Sequence, residues 1–191
     1  KTVWNRVIQV LCVSVLVMAA SVAAGTPAES VTAGPIKERG PEAEKVTAFT
    51  FTFDSREELF DALEAAIASG DLEVMRALAV NREEFRDLVW PTLPIANRPK
   101  SNFTWDFVWH QHELRHESSL RRISTDYGGQ GLEIVDMQAR GKTTDHGSFH
   151  IHRENFVEVV RPDGTREELQ LFGSLLETDD GRYKIYSFIC D

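Results

Sequence analysis

Residues 101–123 read SNFTWDFVWHQHELRHESSLRRI. Wound at about 3.6 residues per turn, this stretch puts Trp105, Trp109, His112, His116, Leu120 and Ile123 on one stripe. It is expected to form one long amphipathic helix that the rest of the chain packs against. The stripe is mostly apolar, yet two imidazoles sit at its centre. Within it, His112-Glu113-Leu114-Arg115-His116 is an HExxH string, in which two histidines one turn apart can grip zinc. The neighbours depart from a zinc peptidase. Arg115 lies between the histidines and Glu117 follows them, and the extended motif's glycine and third histidine are replaced by Ser119 and Arg122. The expectation is a polar patch in a pocket rather than a peptidase site.

The chain has 191 residues and 42% hydrophobic content, enough to bury a core. Its net charge is -9, from 30 acidic and 21 basic residues, with no basic run. That balance gives nucleic-acid binding no support. Residues 1–25 have the pattern of a secretory signal: Lys1 and Arg6, an apolar run from Val7 to Val22, then small residues through Gly25. The expected setting is secreted, periplasmic or otherwise extracytoplasmic, with membrane contact only through this segment. Residues 26–45 carry Pro27, Pro35, Pro41 and many charges and are expected to be a disordered tether. Cys12 falls in the leader, which leaves Cys190 without an internal disulfide partner.

A single domain is expected over residues 46–191. Residues 46–53 alternate, with Phe49, Phe51 and Phe53 on one side, and predict a half-buried strand. Ser55 and Glu58 form a capping box before a helix carrying Leu59, Phe60, Leu63, Ala66 and Ile67. Gly70 ends that helix and Asp71 caps a second. Asn81 and Glu84 cap a third through Phe85, Leu88 and Val89, and Pro91, Pro94 and Pro99 force a loop. Strand-like runs then occupy residues 132–139, 148–160, 166–176 and 183–190, joined by hairpin turns at Asp163-Gly164 and Asp180-Gly181.

Two strings, LFDALEAAIASGDLEVMRAL and GSLLETDDGRYKIYSF, resemble the NTF2-like superfamily, the cone-shaped α+β fold of SnoaL-like and ketosteroid-isomerase-like proteins. The likeness covers roughly residues 55–191. It implies helices packed on one curved antiparallel sheet of four or more strands, with a pocket between the long helix and the concave face. The superfamily shares no catalytic motif, so no catalytic residue is carried over. The Phe-rich strand before the first helix and the proline-rich loop before the long one depart from its pattern.

The pocket candidates are Trp105, Trp109, His112, His116, His150 and His152. His150 and His152 share a strand face, so a helix pair meeting a strand pair gives a candidate zinc set, His112, His116, His150 and His152, with nitrogens at about 2.0–2.1 Å. Glu133, Asp136 and Glu154 are the nearby carboxylates. The favoured reading needs no cofactor. His110 and His146 read as surface residues. A desolvated His112 or His116 is also a candidate base, with Tyr127, Tyr183 or Tyr186 orienting a hydroxyl or water. Three functions follow: a binding module for a small apolar or amphipathic ligand; a pocket enzyme, either a histidine-assisted dehydratase or isomerase or a zinc hydrolase; and an interaction domain, including a homodimer, using the sheet face.

Overall fold

A computed structural model describes residues 44–99 and 102–189. The expected leader, nearly all of the expected tether and Cys190 lie outside the described residues. Among the described residues no helix is long and apolar enough to cross a membrane. The architecture is α+β, with helices first and antiparallel sheets after.

Helix α1 (Arg56–Ser69) starts where Ser55 accepts the Glu58 amide, and Glu58 reaches back to the Asp54 amide. It ends at Gly70, whose φ of 66° an L side chain would resist. Asp71 accepts the Glu73 and Val74 amides and opens α2 (Leu72–Ala77). Asn81 and Glu84 make a complete capping box at α3 (Arg82–Glu84). The chain then widens into a π-helical segment (Phe85–Val89) and tightens into a 3-10 turn (Trp90–Thr92). The long helix α4 is Trp105–Tyr127, about one turn later in the sequence than the apolar pattern suggested.

The strands are β1 (Glu133–Ala139), β2 (Thr144–Asp145), β3 (Phe149–Arg153), β4 (Asn155–Val160), β5 (Arg166–Leu169), β6 (Phe172–Thr178) and β7 (Tyr183–Phe188). They form two sheets, ordered β1-β4-β5 and β2-β3-β6-β7, rather than the single curved sheet expected. The run expected at 148–160 breaks at Glu154, whose φ is 54°. Next to it, buried Asn155 donates to the carbonyls of His152 (2.8 Å) and Gly173 (3.1 Å), fixing the corner. The run expected at 166–176 breaks between β5 and β6, so both long strands pass from one sheet to the other.

Residues 46–53 are a second correction. They form no strand; one bridge pairs Phe53 with Tyr183, and Phe51 takes φ 56°. The three phenylalanines still turn inward, Phe49 edge-on to Phe149 at 5.3 Å and Phe51 edge-on to Phe53 at 6.0 Å. The backbone of this strap bonds to side chains instead of to a strand. Asp87 accepts the Val46 amide (2.8 Å), and Glu84 accepts the Thr50 amide (2.6 Å) and hydroxyl (2.8 Å). Glu84 also accepts the Asn81 amide (2.9 Å) and meets Lys184 Nζ at 3.0 Å, while Lys184 donates to the Thr50 carbonyl. Glu84 is 0% and Lys184 1% exposed, so this is a fully desolvated ion pair with its hydrogen bonds supplied.

Removing one charge of such a pair strands the other. Lys184→Met is expected to cost about 3–5 kcal/mol in urea unfolding, and Glu84→Gln added to it to recover part of that loss. A double variant as unstable as the sum of the singles would show that the two charges do not act as a pair.

Candidate functional site

Two apolar clusters form the core. The larger joins α1, α2 and the second half of α4 to β1, β4, β6 and β7. The smaller gathers Val80, Phe85, Val89, Trp109, Phe149, Ile151 and Leu176, with Tyr186 packed against it. α4 crosses both, and its histidines lie at the seam. The ring of His112 is 6.2 Å from Phe85, nearly parallel at 17°, and 5.4 Å from Tyr186. His116 lies 5.9 Å further along the helix and meets Phe188 edge-on at 5.2 Å. Trp109 closes the upper side, 5.2 Å from His112 and 5.4 Å from Phe85. Trp105 is half-buried at the margin beneath the Arg82 guanidinium, 5.1 Å away.

Two backbone irregularities aim these rings. Phe85 belongs to the π-helical segment. Tyr186 falls at the β6–β7 bulge, between the pairs Leu175–Ile185 and Ser174–Ser187. Such distortions recur at functional sites because they redirect side chains.

Burial governs the electrostatics. Trp109 is 6% and His116 7% exposed, and Trp109 Nε1, His112 Nε2 and His116 Nδ1 are all buried without a hydrogen-bond partner. Desolvation pulls the pKa of His112 down to about 4; the Arg115 charge adds to this, and a hydrogen bond to the Tyr186 backbone opposes it. Desolvation and then the neighbouring His112 ring pull His116 down to about 4 as well. Burial pushes the Tyr186 phenol up to about 12. At pH 7 all three rings are therefore neutral. Imidazoles held this low can donate and accept hydrogen bonds but are feeble proton acceptors.

The strand histidines do not join this group. Phe149 and Ile151 turn into the cluster that holds Trp109, so His150 and His152, which alternate with them, occupy the other face of β3. There His152 Nε2 meets Glu177 at 2.7 Å and its Nδ1 meets the Thr143 hydroxyl at 3.0 Å. Tyr183 donates to the same Glu177 carboxylate at 3.0 Å. His150 lies 3.9 Å from Asp179. Thus Glu177 and Asp179, not Glu133, Asp136 or Glu154, are their carboxylates. Among the described residues no group of three or more His, Cys, Asp or Glu side chains is placed to hold a metal ion, so the four-histidine zinc set is not assembled. Glu113, the glutamate of the HExxH string, lies 4.0 Å from exposed His110 instead. Tyr127 packs at the far end of α4 against the larger cluster, 6.0 Å from the Arg161 guanidinium. His146 is not simply a surface residue: it stacks on Phe149 at 4.9 Å and bonds the Thr92 hydroxyl at 2.9 Å.

Surface cavities of about 240, 220 and 270 Å³ lie elsewhere, and none is lined by Trp109, His112 or His116. Large exposed apolar side chains are Val135 on β1 and Phe103, Phe107 and Leu114 at the start and outer side of α4. Phe85 and Glu177 were missed as site residues: a stacking partner and a cross-strand partner depend on packing and register, which spacing alone does not encode.

Because both imidazoles stay neutral in the fold while the unfolded chain's titrate near 6.5, the unfolded state binds more protons below that pH. Stability is expected to be full above pH 6.5 and to drain as pH falls toward 4, by on the order of 3 kcal/mol for each ring that the unfolded chain protonates and the fold keeps neutral. His112→Phe with His116→Phe should flatten that window in urea melts followed across pH. An unchanged slope would mean the two rings do not carry it.

Comparison with protein-family models, with curated proteins and with solved structures finds no match to this chain.

Proposed function

We propose that this domain binds a small, mainly apolar molecule between α4 and the β6–β7 edge of the four-stranded sheet, on an NTF2-like cone. The observation that carries the binding reading is the set of three buried, unpartnered ring nitrogens on Trp109, His112 and His116. Each such group costs roughly 1–3 kcal/mol when left unmet, and native cores seldom keep several together without a use. The aromatic walls supply the apolar contact, and Phe85 and Tyr186 are borne on the two irregular segments. The order of helices, long helix and antiparallel strands supports the cone, and the leader-like run at residues 7–22 supports an extracytoplasmic setting.

The test is a thermal-shift screen of purified protein with small apolar compounds, alongside native mass spectrometry for co-purifying ligand. A true ligand at about one hundred times its Kd should add about 2.7 kcal/mol and raise the midpoint by roughly 5–10 °C. Trp109→Phe combined with His112→Phe should abolish that shift while leaving the circular dichroism unchanged. A screen without any shift, with nothing co-purifying, would remove the binding reading.

A further inference from the structure

We infer that the polar end of the ligand is a neutral hydroxyl, taken by Trp109 and His112 together, and that carboxylates are discriminated against. This rests on the binding reading and adds the ligand's chemical class. The indole N–H of Trp109 is a donor only. His112 Nε2 has no partner, and a nitrogen of a neutral imidazole either accepts or donates a hydrogen bond, as the tautomer decides. The two rings lie 5.2 Å apart, centroid to centroid. A group meeting both accepts from the indole and either donates to or accepts from the imidazole, and a hydroxyl does each of these with one atom. An ether lacks the donor, and a carboxylate lacks both the donor and neutrality.

The charges around the seam point the same way. Arg76 is the basic side chain acting on His116 from α2, and it is held by Glu117 at 2.6 Å and by Glu73 at 2.6 Å. Arg115, which acts on His112, is exposed on α4, and Arg153, which acts on Tyr186, is exposed at the end of β3. Lys184 on β7 is committed to Glu84 and Thr50. Among these described cations none is available inside the cluster to neutralise an arriving carboxylate, and an unpaired buried anion is strongly disfavoured. Both imidazoles are neutral at pH 7, in keeping with a site for an uncharged group.

The experiment compares matched probes on the full chain at pH 7.5: a medium-chain primary alcohol, its methyl ether, and the carboxylate of the same length, titrated by tryptophan fluorescence and calorimetry. The alcohol is expected to bind at least about tenfold tighter than either analogue, the effect of leaving one buried polar group unpaired. His112→Phe should bring alcohol and ether to equal affinity, and Trp109→Phe should weaken both while the fold, followed by circular dichroism, is kept. Tighter binding of the carboxylate, or equal binding of ether and alcohol to the unaltered protein, overturns the hydroxyl assignment and leaves the binding reading standing. Binding of none of the three, with a silent thermal-shift screen, overturns both.

Discussion

One buried ion pair holds the front of this domain together. Glu84 and Lys184 are a hundred residues apart in sequence and fully desolvated in the fold. Between them they meet the amide, hydroxyl and carbonyl of Thr50, and Glu84 also meets the Asn81 amide. The strap has almost no strand partner of its own, so these side chains do what a neighbouring strand would do. The same carboxylate completes the cap of α3, which leads directly into the π-helical segment carrying Phe85. Strap, capped helix and last strand therefore converge on one carboxylate, and the position of Phe85 over His112 depends on it.

The seam between the two apolar clusters is the other organising feature. A helix whose whole inward stripe was leucine would fuse them into one core. Here α4 is apolar at Trp109 and again at Leu120 and Ile123, with imidazoles between. The clusters meet across polar, neutral, hydrogen-bond-hungry rings. Packing supplies most of the stability on either side, while the middle keeps polarity that packing alone does not need.

Much of this was legible in the sequence. Gly70 followed by Asp71 announced the break between α1 and α2, because a left-handed end and an acidic cap are local chemistry. Asp163-Gly164 and Asp180-Gly181 announced hairpins for the same reason: Gly164 and Gly181 take φ 84° and 77°. The inward stripe of α4 was legible from periodicity. Other features were not. The alternation of Phe49, Phe51 and Phe53 says that one side is apolar; it does not say whether the backbone finds a partner strand. His150 and His152 share a face by pleat alone, but which face meets α4 depends on where Phe149 and Ile151 go. The corner at Glu154 arises from a left-handed residue that carries no glycine signature.

That corner has a mechanical consequence. β3 and β4 are one continuous stretch of chain that belongs to two sheets, turned about Glu154 and clamped by the Asn155 amide. Side chains on a strand alternate strictly, so adding or deleting one residue between Ile151 and the clamp would exchange the two sides of β3. Phe149 and Ile151 would swing out to the Glu177 side, and His150 and His152 would swing in beneath Trp109. The length of this short segment, more than its composition, therefore keeps the strand imidazoles apart from the helix imidazoles.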